Sequence, residues 1–253
     1  MQAEAQPQLD RAIEAIRVRF GSQALTRAAA LPPPPAWPSR TPLDRLTGIG
    51  GLPQGRISLL TGSGTCGKLT LGLALLGSAT REFAQAIVID PAGGFDPWCL
   101  LPFDPVFGAL TVVRPPGLEA AGEAAAALAR AGAGFILLMG EVPEPWLGPL
   151  ESGANRSGAV VVSVVESPGR AFAHASSLTL GFLRTGWVWD RGQLAGLTTL
   201  ARCSKNRVAP PVGEAELEIR YRLGAALPAP ERQVVERRPA EVEMEAGCSS
   251  AAL

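Results

Sequence analysis

Histidine is almost missing from this chain: His174 is the only one in 253 residues. Cysteine is sparse and scattered, as Cys66, Cys99, Cys203 and Cys248, with no C-x-x-C pair. Those two shortages exclude a recognisable His/Cys metal site and a disulfide framework, and they leave reduced cytosolic thiols as the expectation. An excess of one charge is missing too, since 23 basic residues balance 23 acidic ones and the formal net charge is zero. That argues against a large basic surface for nucleic acid and leaves room only for a local patch. No apolar run is long enough to span a bilayer. No segment joins a basic start to an apolar stretch and a small-residue cleavage site. The expectation is a soluble, cytoplasmic protein with no membrane partner.

What is present begins with apolar content: 47% hydrophobic residues support one substantial core. The strongest local signal is Gly62-Ser63-Gly64-Thr65-Cys66-Gly67-Lys68, which fits the phosphate-binding pattern G-x-x-x-x-G-K. Its glycines let backbone N–H groups face an anion at a helix N-terminus, and Lys68 adds a point charge. The next position is Leu69, where the pattern demands the Ser or Thr that holds Mg²⁺. Thr70 follows, but a helix turns about 100° per residue, so its hydroxyl is expected to face elsewhere.

Leu9, Ala12, Ile13, Ile16 and Phe20 recur at helical spacing ahead of Gly21, which predicts an amphipathic helix over 8–20. The expected organisation is an N-terminal helix segment over 1–31 and a proline-rich linker over 32–42. A core over 43–224 and a flexible tail over 225–253 follow. Within the core, short apolar strands at 57–60, 86–90, 110–113, 135–139 and 159–165 alternate with helices, which predicts an α/β fold with a parallel sheet covered on both faces. Beyond Ser176 the pattern changes to strands at 178–182, 186–190, 196–203 and 216–221, read as an antiparallel extension of the same sheet. Trp187, Trp189 and Tyr221 fall in these strands and are expected to pack.

Several segments together resemble the RecA recombinases. Gly50-Gly51-Leu52-Pro53-Gln54-Gly55-Arg56-Ile57 looks like that family's approach to its phosphate loop. Ile89-Asp90 with Phe95-Asp96-Pro97 is similar to its "ID…LDP" segment, and Lys205-Asn206-Arg207-Val208-Ala209-Pro210-Pro211 to "KNK-x-AAPF". The helix ending Arg19-Phe20-Gly21 is similar to the one through which RecA protomers pack together. The resemblance runs from about residue 8 to 224 and implies a RecA-like core. It also implies a nucleotide site at Gly62, Ser63, Gly64, Thr65, Cys66, Gly67, Lys68, Leu69 and Asp96.

The departures from the family pattern are informative. Ala92 stands where RecA has the glutamate that activates water, and Met139 where its fourth strand ends in an aspartate near Mg²⁺. With Leu69, three groups needed for metal-assisted phosphoryl transfer are missing together, and of nearby residues only Glu141 is placed to replace one of them. The adenine-stacking tyrosine position falls on Cys99, with Trp98 beside it. The two DNA-gripping loops correspond to Gly148–Ser157 and a shortened Ser167–Phe172, carrying Arg156 and Arg170. Surface solvation is the commoner reason for two such arginines, so any binding of single-stranded DNA is expected to be weak. His174 has no acid or nucleophile beside it in sequence and reads as structural. By resemblance, Lys205 and Arg207 reach a nucleotide on a neighbouring protomer.

A degenerate RecA-like chain with trimmed loops resembles the ImuA family of bacterial mutagenesis cassettes. That resemblance implies a non-catalytic accessory protein of the DNA-damage (SOS) response, supporting error-prone translesion synthesis. The implied partners are ImuB, a DnaE-type polymerase, and RecA or a second copy through Leu9, Ile13, Ile16 and Phe20. ATP or ADP would bind weakly if at all. An active RecA/KaiC-type ATPase and a SulA-like division inhibitor are the alternatives.

Overall fold

In the computed structural model the chain divides into two units, Met1–Pro34 and Pro35–Leu253. Residues 5–21, 35–210, 213–221 and 234–237 are described, residues 5–9 and 234–237 by their backbone only. In the first unit, helix α1 covers Ala5–Phe20, three residues earlier than its apolar spacing predicts. It stops at Gly21, whose φ of 92° lets its N–H reach back to the Arg17 carbonyl at 2.9 Å.

Among the described residues, the second unit is built on a nine-stranded sheet of order β11-β10-β9-β8-β3-β7-β6-β4-β5. Strands β3 (Ile57–Thr61), β4 (Ala86–Ile89), β5 (Leu110–Val113), β6 (Phe135–Met139) and β7 (Val160–Val165) pair in parallel, as does the start of β8 (Leu178–Asp190) with β3. Each of the central strands serves two cores by simple alternation. Leu60, Val88, Leu137 and Val162 bury on the face covered by α2 (Lys68–Glu82). Leu59, Ile87, Ile136 and Val161 bury on the opposite face with residues of α3 (Leu118–Arg130), α4 (Glu144–Ser157) and α5 (Arg170–Ala175). The expected parallel sheet covered on both faces is what the molecule has.

The antiparallel extension is also present, in longer pieces. β8 runs unbroken through the gap expected at 183–185, absorbing a register shift between Arg184 and Gly186. It joins β9 (Gln193–Asn206) through Arg191 and Gly192, at φ 48° and 80°, the two positive-φ residues that a tight hairpin turn requires. β10 (Glu214–Arg220) follows, and β11 (Val234–Arg237) pairs with it at the sheet edge. A strand therefore lies inside the segment expected to be a tail from residue 225, the rest of which lies outside the described residues.

The linker expected over 32–42 is corrected for residues 35–42, and 32–34 lie outside the described residues. Ala36–Trp37 form β1, paired with β2 (Leu52–Pro53), and Trp37 is buried against Phe83 and Phe135. Asp44 closes the following 3-10 turn by accepting from the Ser39 and Arg40 amides and the Ser39 hydroxyl. Burial raises its carboxyl above the usual value against the pull of those bonds. Burial of Trp37 anchors the chain here, so residues 35–42 are not a free spacer.

A second correction concerns Gly148–Ser157, expected as a flexible DNA loop. It is helical, the greater part of α4. Leu147, Leu150 and Ala154 bury at helical spacing, and Pro at the first turn is tolerated because no N–H is needed there.

Candidate nucleotide site

β3 delivers the phosphate loop at its C-terminal end, and α2 starts at Lys68. Gly62 and Gly67 have positive φ, and at Gly62 backbone space requires glycine as well. A Cβ at Gly62 (φ 150°) would lie 2.4 Å from the Phe182 carbonyl oxygen, and one at Gly67 (φ 88°) 2.5 Å from Ile219 Cδ1. Strands β8 and β10 thus clasp the loop from the antiparallel side. Arg184 adds a third tie, donating to the Thr65 carbonyl at 3.0 Å while its guanidinium lies 4.1 Å from the Trp187 ring centre. Trp187 and Trp189 are exposed rather than packed in the core, so that expectation fails for both.

A cavity of about 580 Å³ opens over the loop. Gly64, Thr65, Cys66, Gly67, Lys68 and Leu69 line it, with Ala92 and Met139 across from them. The structure therefore brings the three departures from the phosphoryl-transfer pattern to one place. Leu69 stands 40% exposed at the mouth where a hydroxyl would hold a metal. Met139 lines the cavity and packs against the core beneath α2.

Three nearby carboxylates, Asp90, Asp96 and Glu141, are committed to backbone amides. Asp90 is buried and accepts from the amides of Ala92, Gly93 and Phe95, folding the chain that follows β4. Asp96 does not line the cavity, contrary to expectation. Its carboxylate caps a 3-10 turn by accepting from Trp98 N at 3.0 Å. Glu141, the one candidate to replace Met139, accepts twice from Gly169 N, at 3.0 and 3.1 Å, and is also outside the cavity. Trp98 is exposed and meets Phe107 edge to face, while Cys99 packs against the core, so neither offers a platform in the cavity.

The residues present fit a phosphate and do not fit its Mg²⁺ ion. Backbone amides and Lys68 compensate negative charge, but Leu69, Ala92 and Met139 put no metal donor at the three positions the pattern requires, although Thr70, expected to face elsewhere, lines the cavity as Asp90 does. Tyr221, expected to pack, does pack against the core and also lines the cavity, as does Glu166, which the sequence reading does not single out. A usable signal existed for Glu166, because it directly follows β7, and ligands in open α/β sheets bind beyond the carboxyl ends of strands.

A second cleft, about 940 Å³, gathers Arg170, His174, Lys205 and Arg207 with Glu144 and Glu151. Lys205 does not point outward as a reach to a neighbour would require. Its ammonium donates to the carbonyls of Ala173 and His174 and to the Ser176 hydroxyl, capping the C-terminus of α5. Burial chiefly, then the Arg207 charge, holds it below the usual lysine value, with Glu151 opposing. An Arg207 N–H faces His174 Nδ1 at 3.4 Å, which makes that nitrogen the acceptor and fits a structural role for His174. Arg156 is not in this cleft and turns its Nε to the Ser152 carbonyl at 3.3 Å. On α1, Ile13 is half-buried and Ile16 and Phe20 are exposed, while the Leu9 side chain lies outside the described residues. No described helix is long and apolar enough to cross a membrane.

Comparison with known proteins agrees with this geometry. Protein RecA of Chlorobium limicola is 26% identical, with 85% of this chain and 73% of that protein aligned. Protein RecA of Cutibacterium acnes is 27% identical over 82% of this chain and 69% of its own length. For Protein RecA of Aquifex pyrophilus the identity is 26%, over 87% and 75%. The RecA N-terminal domain matches residues 7–143, more than half of the chain. On that match, carried by a phosphate loop at the head of a parallel sheet, the chain belongs to the RecA family.

Proposed function

We propose that this chain is a non-hydrolysing RecA-like accessory protein of the ImuA type, acting in the cytoplasm in the DNA-damage response. One observation carries the reading: Leu69, Ala92 and Met139 converge on the phosphate-loop cavity where metal anchor, water activator and metal-side acid are required. Positioned groups of this kind supply orders of magnitude in rate, and three are replaced by side chains that can supply none of it. On this reading the chain supports error-prone synthesis by contacts, with ImuB and a DnaE-type polymerase as partners and RecA or a second copy meeting α1. Residual ADP or ATP binding rests on Lys68 and the loop amides. Single-stranded DNA binding is weak and salt-dependent, since Arg156 and Arg170 lie on helices and no longer on a long loop.

The test is phosphate release from Mg–ATP with and without single-stranded DNA. The expected result is no turnover in the wild type and none in Leu69→Thr, because Ala92 and Met139 remain. Turnover in the wild type that Lys68→Ala abolishes would instead establish the rival reading, an active RecA/KaiC-type ATPase, which the intact Gly62–Lys68 loop favours.

A further inference from the structure

The phosphate loop already holds an anion, and it belongs to the protein. Glu166 Oε1 accepts from the Gly64 amide at 3.1 Å and lies 3.9 Å from Lys68 Nζ. Those are two of the groups the loop would turn toward a phosphate. The same residue's backbone carbonyl accepts from Gly62 N at 3.2 Å, so one residue holds two loop amides at once. Lys68, itself buried, completes the arrangement by donating to the Gly64 carbonyl at 3.1 Å.

The position of Glu166 is set by structure on both sides. β7 ends at Val165, and three residues past Glu166 the Gly169 amide is held by the Glu141 carboxylate. A carboxylate delivered this way resembles a phosphate in charge and in accepting geometry, although it is smaller. Any phosphate entering the loop must displace it from Gly64 and then bear its charge at close range.

We infer that Glu166 is a resident competitor for the phosphate position, an internal carboxylate that keeps the loop shut to nucleotides. The inference deepens the reading of the cavity as a phosphate cradle and rests on it for the identity of the displaced ligand. It does not depend on whether hydrolysis occurs. It also gives low nucleotide affinity a cause separate from the missing metal ligand: one is repulsion by a present charge, the other the loss of a compensating one.

Two substitutions separate charge from hydrogen bonding. Glu166→Gln keeps an oxygen for Gly64 N and removes the charge, whereas Glu166→Ala removes both. The Glu166 side chain is 69% exposed, so both variants are expected to fold with an unchanged thermal midpoint. Calorimetric titration of the full chain with ADP and with pyrophosphate, without Mg²⁺, is the measurement. Both variants are expected to bind each probe about tenfold or more tightly than wild type, the size expected for removing one charge near a phosphate. Adding Lys68→Ala to Glu166→Gln is expected to cancel the gain. Unchanged or weaker affinity in both variants, including no heat at millimolar probe, would overturn the inference. Phosphate release by Glu166→Gln supplied with Mg–ATP would sink the non-hydrolysing reading and leave this one standing, so the two fail separately.

Discussion

Trp37 Nε1 donates to Glu82 Oε2 at 3.0 Å, tying the strand that follows the proline run to the last turn of α2. The indole is 2% exposed and meets Phe83 and Phe135 at ring-centre distances of 5.4 and 5.3 Å. Trp37→Ala is therefore expected to destabilise the second unit by about 3–5 kcal/mol, as truncation of a buried aromatic does. Trp37→Phe keeps most of the ring volume and loses the bond to Glu82, so about 1 kcal/mol is expected. Urea denaturation followed by fluorescence and circular dichroism checks both. A loss below about 1 kcal/mol for the alanine variant would return residues 35–42 to the status of a spacer.

α4 gives a second expectation, because its glycines act opposite to their usual local meaning. Gly153 sits where a Cβ would lie 3.1 Å from the Arg130 backbone nitrogen and 3.3 Å from the Ala126 carbonyl oxygen. α3 and α4 approach each other through that gap. Gly153→Val is expected to force them apart at a cost of about 1–3 kcal/mol. The same change at Gly148, which has no atom within 4 Å of its Cβ position, is expected to cost less. Equal effects at the two positions would mean that the helix contact is not what selects glycine.

These positions show what was and was not legible. The parallel strands declared themselves because Ile57–Thr61, Phe135–Met139 and Val160–Val165 are apolar on both faces, and only a sheet covered twice buries such runs. The phosphate loop was legible because its glycines are spaced by the geometry of the turn. α4 was not, because Pro145, Gly148, Pro149 and Gly153 are local breakers, and the helix is stabilised by burial of Leu147, Leu150 and Ala154 in a core shared with α3 and the sheet. Glu166 was missed for a similar reason. Its neighbours Ser167, Pro168 and Gly169 read as a solvated turn, and only the fold puts that turn against Gly64. Lys205 looked outward by resemblance, and nothing local marked the α5 carbonyls that it caps.

Lys205 carries a pH dependence whose sign follows from its surroundings. Burial disfavours the charged ammonium in the folded protein, Arg207 adds to that, and Glu151 opposes both. The folded value thus lies below the ordinary 10.5 that the unfolded chain takes. Between the two, the unfolded state binds more protons, so this group makes stability rise with pH across that window and flatten above 10.5. Below the folded value its full destabilising effect is present. Lys205→Met is expected to lose the slope, read as thermal midpoints over the alkaline range below pH 10.5 against wild type. A slope retained in the variant would assign the effect to another group.

The last expectation concerns what α1 is for. A helix of 16 residues is marginal by itself, and Ile16, Val18 and Phe20 leave apolar surface exposed at its C-terminal end. An amphipathic helix of this kind is stabilised by laying its apolar side in a groove, here proposed to belong to RecA or to a second copy of this chain. The C-terminal stretch from residue 230 is the proposed ImuB contact, with β11 inside it extending the sheet edge. Deleting residues 1–22 is expected to abolish association with RecA or self while ImuB binding persists, and deleting 230–253 to do the reverse. Removing β11 also uncovers β10, so the second truncation must be compared at equal folded fraction, judged by circular dichroism, before its pull-down is read. Retention of every partner by both truncations would mean that neither end is an interface, and that any contacts are made through the sheet body and the exposed Trp187 and Trp189 hairpin arm.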